Sequence, residues 1–200
     1  ISQLGLDNFL DYYQKLGLNK KTGIDLQGES KPTIKTNWPE IDLATASFGQ
    51  GIVVTQINIL QAFNTLANNG VLITPHLIDY FKNDLESISF PKKTIPVNVF
   101  SPDTVEFLKS ILKHAVENSV VSSLKPKYMD ICGKSGTAQI AIKGNYTDSA
   151  TIGSYIGFFP CDKPKVTMIV TINNPKSSSW GSSTAAPIWF ELAEKINFLL

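Results

Sequence analysis

The chain contains 200 residues, of which 42% are hydrophobic and 18% are charged. This is enough apolar material to bury the core of one domain, and it excludes a disordered, collagen-like or coiled-coil protein. The 18 basic residues are all lysine and face 17 acidic residues, so the net charge is +1, which argues against a nucleic-acid-binding protein. Because arginine is absent, any bound anion must be held by lysine, hydroxyl groups or backbone amides.

Cysteine and histidine usage excludes further classes. Two cysteines, Cys132 and Cys161, are too few for a disulfide scaffold, and neither they nor His76 and His114 have metal-ligand spacing. We therefore predict no metal and no cofactor. No apolar run reaches the roughly 20 residues of a membrane span, and the first residues lack the basic region of a signal peptide. Since the chain begins with Ile1 instead of Met, we expect it to be a piece of a longer protein.

The first part of the chain is predicted to be mainly helical. Apolar spacing predicts a helix over 7–16 that ends at Gly17, a short helix over 42–47, and a longer helix that is N-capped by Thr55 and runs to Asn68. Residues 71–80 are expected to hold two short strands, and residues 83–98 to be irregular. Ser101-Pro102 is a typical helix start. The predicted buried stripe of that helix is Val105, Leu108, Ile111, Leu112 and Ala115.

The last third of the sequence predicts a small antiparallel sheet. Residues 131–142, 149–159 and 165–173 read as three strands at short spacing, which is typical of a meander. The third strand is apolar on both faces, so it should be covered on both sides. A final helix over 184–199 has Glu191 and Lys195 as an i,i+4 pair. It places four apolar residues on one face: Ile188, Leu192, Ile196 and Leu199.

The segment Lys134-Ser135-Gly136-Thr137 carries the clearest chemistry. Strand periodicity places Lys134 on one face and both hydroxyl side chains on the other. Gly136 leaves bare backbone between them, where a ligand can lie against the strand. An ammonium group, two hydroxyls and edge amides suit a carboxylate and a carbonyl oxygen, so this strand is the candidate binding site of the chain.

Six segments, in order along the chain, resemble the C-terminal half of the transpeptidase domain of class B penicillin-binding proteins. The sequence of the first segment, Ser47–Gly51 with Val54-Thr55, is more similar to division- or sporulation-type members than to elongation-type members. The Lys-Ser-Gly-Thr segment resembles the third active-site motif of this family. The six segments are Ser47–Gly51 with Val54-Thr55, Ala67–Gly70, Lys134–Gln139, Tyr155–Pro160, Ile172–Pro175 and Ala185–Pro187.

The resemblance implies a peptidoglycan D,D-transpeptidase. In this family a serine attacks the D-Ala-D-Ala carbonyl of a stem peptide, the acyl group passes to an amine, and β-lactams stop the reaction at the acyl stage. By the resemblance, Lys134 would shuttle protons and set the local field. Ser135 and Thr137 would hold the donor carboxylate along Gly136, and the Thr137 N–H would be one oxyanion-hole donor.

The resemblance also implies a fold, a location and partners. The fold is expected to be α+β, the C-terminal part of the serine β-lactamase and penicillin-binding transpeptidase fold. Residues 1–200 would form part of one domain, with a mainly helical part over 1–120 and a meander plus C-terminal helix over 131–200. Expected partners are stem peptides, β-lactams, the upstream half of the same domain and a membrane-bound cell-wall synthesis complex. The expected location is the extracytoplasmic face of the bacterial membrane.

The family's nucleophile is not found at its expected place. Ser-x-x-Lys occurs at Ser89–Lys92, Ser110–Lys113 and Ser122–Lys125. In the family this motif precedes the segment that Ser47–Gly51 resembles, whereas all three matches here follow it. Ser-x-Asn does not occur. We therefore expect both motifs to lie upstream and the chain alone to be inactive.

Two alternatives to the enzyme and one question about the cysteines stay open. The same fold could serve a non-catalytic penicillin-recognising sensor, or a β-lactamase, which needs a deacylating base. Glu29 and Glu40 lie in a polar loop without a recognisable motif, as solvated glutamates usually do. Cys132 and Cys161 are expected near opposite ends of one hairpin, where the sequence allows either a disulfide or two buried thiols.

Overall fold

The structure, a computed structural model, describes residues 3–33, 35, 37–83, 86–89, 96–142 and 145–200. It divides into two compact units, Ile1–Ser101 and Pro102–Leu200. Helix Pro102–Glu117 thus groups with the sheet that follows it, although the sequence suggested a helical part extending to residue 120. Within the described ranges, no helix is long and apolar enough to cross a bilayer.

In its described residues, the first unit holds three helices and four short strands. Helix α1 ends where Gly17 adopts a positive φ of 71°, as predicted for its C-cap. Thr55 caps α3 by accepting the backbone N–H of Asn58 at 3.3 Å. The helices are α1 (Leu6–Lys15), α2 (Glu40–Ala46) and α3 (Gln56–Ala67), and the strands are β1 (Val71–Leu72), β2 (Tyr80–Lys82), β3 (Ser87–Ser89) and β4 (Val97–Asn98).

The short strands differ from the sequence prediction. β1 pairs with β4, and β2 pairs with β3, both antiparallel. The expectation that residues 83–98 are irregular is therefore wrong at β3 and β4. β3 has three residues and β4 has two, so both are too short to show a period, and backbone pairing with β2 and β1 defines them.

Helix α3 buries polar side chains, which apolar spacing did not predict. Asn58 and Thr65 are fully buried, and Gln61 is nearly so, whereas Ile59 on the predicted apolar face is 36% exposed. The Asn58 amide donates to the carbonyls of Gly17 and Lys20 at 3.3 and 2.9 Å. The Gln61 amide likewise donates to the Ile73 carbonyl at 2.8 Å, so these buried polar groups have hydrogen-bond partners, as buried polar groups usually do.

The second unit is an antiparallel sheet flanked by helices. Strand order β5-β6-β7 confirms the predicted meander and the α+β class. Strand β6 begins four residues earlier than predicted, and α5 begins three residues earlier. The elements are α4 (Pro102–Glu117), a 3₁₀ turn (Ser122–Leu124), β5 (Cys132–Ile142), β6 (Asn145–Phe159), β7 (Val166–Asn173) and α5 (Gly181–Asn197).

The core of the second unit lies between α5 and the sheet. The Trp189 ring is fully buried and contacts the rings of Tyr155, Phe159 and Phe190, with centroids 5.0–5.9 Å apart. The apolar face noted in the sequence is not the buried one, because Ile188 is 45% exposed. The helix instead turns its small and aromatic residues to the sheet: Ala185, Ala186, Trp189, Phe190 and Ala193.

Helix α4 follows the predicted stripe only in part. Val105 is buried, but Ile111 is 47% exposed, and the other buried side chains of the helix are Lys109 and Val116. The Lys109 ammonium lies 6.0 Å from the centre of the Phe158 ring and 3.4 Å from the Asp162 carbonyl oxygen. A lysine therefore occupies the sheet side of the helix, which no apolar pattern predicts.

A disulfide joins Cys132 at the start of β5 to Cys161 after β6, with the two Cα atoms 5.1 Å apart. Both half-cystines are buried, with 0% and 2% exposure. The sequence left disulfide and free thiols open, and the structure has the disulfide. The disulfide therefore links the start of β5, two residues before Lys134, to the residue that follows the end of β6 by two positions.

Candidate functional site

The Lys-Ser-Gly-Thr segment lies near the start of β5, as predicted. Lys134 pairs with Ile156, and Thr137 pairs with Gly153, in regular antiparallel register with β6. Within the described part of the chain, no strand pairs with the other edge of β5. The segment therefore presents one set of backbone groups away from the sheet, as a strand edge does.

The Lys134 side chain is exposed, and its ammonium donates a hydrogen bond to the Ser135 carbonyl at 2.9 Å. No carboxylate pairs with it among the described residues. The adjacent Ser135 side chain lies opposite Tyr155, whose ring packs against Trp189 of α5. Lys134 and Ser135 therefore lie on opposite faces of the sheet, as strand periodicity predicted.

The start of helix α5 fixes Thr137. The Gly181 N–H, in the first turn of α5, donates a hydrogen bond to Thr137 Oγ1 at 3.0 Å. This is one of the N–H groups at a helix start that have no partner inside the helix. The predicted ligand-binding hydroxyl is thus held by the positive end of a helix, which favours negative charge nearby.

Glycine allows α5 to approach the sheet this closely. A Cβ on Gly181 would lie 2.2 Å from the carbonyl oxygen of Gly136 and 2.5 Å from that of Ser154. A Cβ on Gly153 would lie 2.6 Å from Thr184 Oγ1. Sequence analysis missed Gly181 because it started this helix at residue 184. The Trp180-Gly181 pair before the apolar run was the available signal.

The Ser-x-x-Lys pairs do not form a nucleophile site in the described part of the chain. Ser110 Oγ donates to the Phe107 carbonyl at 2.7 Å, while Lys113 Nζ pairs with an Asp130 carboxylate oxygen at 2.7 Å. Ser122 starts the 3₁₀ turn, and Ser89 ends β3, with Lys92 outside the described residues.

Glu29 is a structural carboxylate. It accepts the Thr22 N–H at 2.6 Å, the Thr22 hydroxyl at 2.7 Å and the Gly23 N–H at 3.1 Å. Burial raises the pKa of this carboxyl, but the hydrogen bonds from Thr22 and Gly23 outweigh it and hold the pKa below its ordinary value. Glu40 is the first residue of α2. Glu29 is thus a charged carboxylate that is occupied by three hydrogen bonds, whereas a general base needs a raised pKa and a free oxygen.

Metal chemistry has no visible site either: among the described residues, no group of histidine, cysteine, aspartate and glutamate side chains could hold a metal ion.

Comparison with known proteins identifies the family. The family model described as "Penicillin binding protein transpeptidase domain" matches residues 2–194. The chain belongs to this family. The predicted resemblance to class B penicillin-binding proteins is thereby confirmed.

Two curated relatives illustrate the match. "Stage V sporulation protein D" of Bacillus subtilis is 32% identical over 192 residues, covering 93% of this chain and 30% of the relative. "Peptidoglycan D,D-transpeptidase FtsI homolog" of Mesostigma viride is 29% identical over 217 residues, covering 98% of this chain and 36% of the relative. The chain thus spans about a third of the length of these relatives.

Solved structures share the fold. Penicillin-binding protein 3 of Mycobacterium tuberculosis, in its apo form, matches with a TM-score of 0.88 at 24% identity, covering 98% of this chain and 47% of that protein. The same protein complexed with ampicillin matches with a TM-score of 0.87 at 23% identity, covering 98% and 46%. The transpeptidase fold predicted from the sequence is confirmed.

Proposed function

We propose that this transpeptidase-family chain is the substrate-docking part of a peptidoglycan D,D-transpeptidase. The protein would transfer an acyl group from a D-Ala-D-Ala stem peptide to an amine on a neighbouring strand, and it would bind β-lactams at the same place. The observation that carries the proposal is the Lys134–Thr137 segment at an unpaired edge of β5, in a chain matched by the transpeptidase family over residues 2–194.

The roles of the segment follow from its chemistry. The exposed ammonium of Lys134 would lie beside the nucleophile and move protons. The Ser135 and Thr137 hydroxyls would hold the donor carboxylate along the bare backbone of Gly136. The Thr137 N–H would stabilise the oxyanion, and loss of such a donor costs about a hundredfold or more in rate. The helix start behind Thr137 supports this by placing a partial positive charge near the carboxylate.

The nucleophile would come from Ser-x-x-Lys and Ser-x-Asn motifs outside these 200 residues. We therefore propose that residues 1–200 are part of one transpeptidase domain, and that the isolated chain is not acylated. The assembled enzyme would work at the extracytoplasmic face of the membrane, where its peptidoglycan substrate lies, within a membrane-bound cell-wall synthesis complex.

Labelling with a fluorescent penicillin tests the proposal. The full-length protein should form a covalent adduct, and the 200-residue chain should form none. Lys134→Ala in the full-length protein should reduce the labelling rate by about a hundredfold or more, by analogy with loss of a catalytic proton-transfer group. Lys163→Ala, an exposed lysine of the same unit, is the matched control and should label normally.

The outcomes separate the alternatives. Labelling of the isolated chain would overturn the placement of the nucleophile and reopen the three Ser-x-x-Lys serines. Labelling of the full-length protein without cross-linking of stem peptides would favour the sensor. Rapid loss of the label by hydrolysis would favour a β-lactamase, against which the engaged Glu29 carboxylate already argues.

A further inference from the structure

Two Lys-Pro-Lys turns in the second unit take no part in the Lys134–Thr137 site. Residues 125–127 follow the 3₁₀ turn, and residues 163–165 lie between β6 and β7. Three of the four lysine side chains are exposed, and the fourth is half-buried. We call this set the lysine patch, which consists of Lys125, Lys127, Lys163 and Lys165.

The fold brings the two turns to the same end of the sheet. The Cys161 N–H, shortly before the second turn, donates a hydrogen bond at 3.0 Å to the Asp130 carbonyl, shortly after the first turn. Leu124 and Val166, which adjoin the two turns, pack against the same buried core cluster. The four lysines therefore belong to one surface, although the two turns are far apart in the sequence.

Both turns have a fixed backbone. Each contains a proline, whose ring holds φ at about −65°. The Pro126 carbonyl accepts the Met129 N–H at 3.1 Å, and the Lys165 N–H donates to the Phe159 carbonyl at 3.0 Å. The disulfide of Cys161 holds the start of the second turn against β5. A ligand that binds here must order lysine side chains but little backbone, which lowers the entropic cost of binding.

The ammonium groups of the lysine patch are unpaired. In the described part of the chain, no carboxylate oxygen lies within ion-pair distance of any of them, whereas four other lysines pair with carboxylates at 2.6–2.8 Å. The whole chain has a net charge of only +1. This end of the second unit therefore concentrates positive charge that the rest of the molecule balances, and such a concentration attracts anions.

The carboxylates near the lysine patch are partly engaged. Asp130 pairs with Lys113 at 2.7 Å, and Glu194 accepts the hydroxyl of Tyr128. The pKa of Lys113 is raised chiefly by Asp130 and further by Asp162, so these two carboxylates share that ammonium. The lysine patch therefore keeps an excess of positive charge.

The chemistry of the lysine patch favours phosphate groups along a chain. An ammonium is a point charge that binds phosphate from many directions, whereas bidentate pairing with carboxylates uses arginine, which this sequence lacks. Four ammonium groups on two turns match repeated charges better than a single ion. Lysine is also depleted where folded proteins meet. An anionic membrane would face Asp162 and Glu194 as well, whereas a single chain can pass beside them.

We propose that the lysine patch binds a linear phosphodiester polymer, with phosphates in contact with both turns. The patch precedes β5 and follows β6, so it shares no residue with the Lys134–Thr137 segment. The proposal does not rest on the acyl-transfer reaction, and substitutions in the lysine patch should leave penicillin labelling unchanged.

Binding of a fluorescent poly(glycerol phosphate) oligomer to the full-length protein, followed by anisotropy at several salt concentrations, tests the proposal. Four ammonium–phosphate contacts, at roughly −0.7 each, predict a slope of about −3 for log K against log salt. Removing both charges of one turn should halve this slope and weaken binding about tenfold or more at about 50 mM salt. The two double variants are Lys125→Gln with Lys127→Gln, and Lys163→Gln with Lys165→Gln.

Lys20→Gln with Lys31→Gln is the matched control, because it removes the same charge from two exposed lysines of the first unit. It should leave the slope and the Kd unchanged, and all variants should keep the wild-type unfolding midpoint, since the lysines make no ion pair.

Several results would overturn the proposal. These are no binding to the wild type at low salt, a slope that the variants of only one turn or of neither turn reduce, and polyglutamate binding as tightly as the oligomer. Binding to vesicles of phosphatidylglycerol and phosphatidylcholine without binding of the oligomer would also overturn it, in favour of a membrane contact. Failure of penicillin labelling would leave the lysine patch standing, because labelling reports the acyl-transfer site alone.

Discussion

The contact between the start of α5 and strand β5 can be tested by Gly181→Ala. In most helices this change is favourable, since alanine exceeds glycine in helix propensity by up to about 1 kcal/mol. Here the new Cβ would lie 2.2 Å from the Gly136 carbonyl oxygen and 2.7 Å from the Ser154 backbone nitrogen. These are backbone atoms, so the first turn of α5 must move away from the sheet.

The size of the effect follows from two losses. Overpacking of a close contact costs about 1–3 kcal/mol. Displacement of the helix also breaks the 3.0 Å hydrogen bond from the Gly181 N–H to Thr137 Oγ1, which is worth about 1 kcal/mol net. Subtracting the gain of up to about 1 kcal/mol in helix propensity leaves a fall of about 1–3 kcal/mol in the free energy of unfolding.

Urea unfolding of the chain, followed by fluorescence of the buried Trp189, measures this change. Ser183→Ala, an exposed position in the same turn, is the control and should lie within about 0.5 kcal/mol of wild type. Thr137→Val should lose only the hydrogen bond, about 1 kcal/mol. A Gly181→Ala protein as stable as wild type, or more stable, would refute the close-contact argument.

Three further outcomes follow from the structure. Replacing both Cys132 and Cys161 by alanine opens a loop with a sequence separation of 29, so the chain-entropy relation gives a loss of about 3.6 kcal/mol; a loss under about 1 kcal/mol in urea unfolding would contradict it. Tyr155→Phe should raise the stability of the protein by about 1 kcal/mol, because it removes a buried hydroxyl that has no hydrogen-bond partner among the described residues; a lower melting temperature would show that the hydroxyl has a partner. The Asp25 carboxylate accepts the N–H groups of Leu77 and Ile78 at 2.7 and 2.8 Å, and mainly the hydrogen bond from Ile78 holds its pKa below the ordinary value. Its contribution is therefore present at neutral pH and lost as the pH falls through the lowered pKa. Asp25→Asn should be less stable at pH 7 and lose less stability than wild type as the pH falls below the ordinary range of a carboxyl group; an unchanged acid dependence would contradict this.

The fold class, the order of the main elements and the candidate strand could be predicted from the sequence. The start of α3 at Thr55 and the end of α1 at Gly17 were both predicted, because helix caps depend on local backbone geometry. The three strands of the meander were predicted because alternating and apolar runs follow the period of a strand. The Lys134–Thr137 segment carries its chemistry in adjacent residues, so no tertiary information was needed to find it.

The long-range contacts around that strand could not be predicted in this way. Gly181 bonds a residue 44 positions earlier, and the Tyr155 hydroxyl meets the backbone of Gly133. Local pattern says nothing about such pairs, because they depend on the depth at which a helix settles on a sheet.

The sequence by itself determined where the main helices and the three strands of the meander lie, since period, caps and turn residues act over a few neighbouring positions. Tertiary structure decided which face each helix buries. Helix α5 is apolar on more than one side, and the close approach at Gly181 turns Trp189 to the sheet and leaves Ile188 exposed. Helix α3 buries Asn58, whose amide donates to two carbonyls, of Gly17 and Lys20, that lie far away in the sequence. The physical reason is the same in both helices: burial is set by the partner surface, and a helix sequence alone does not contain that surface.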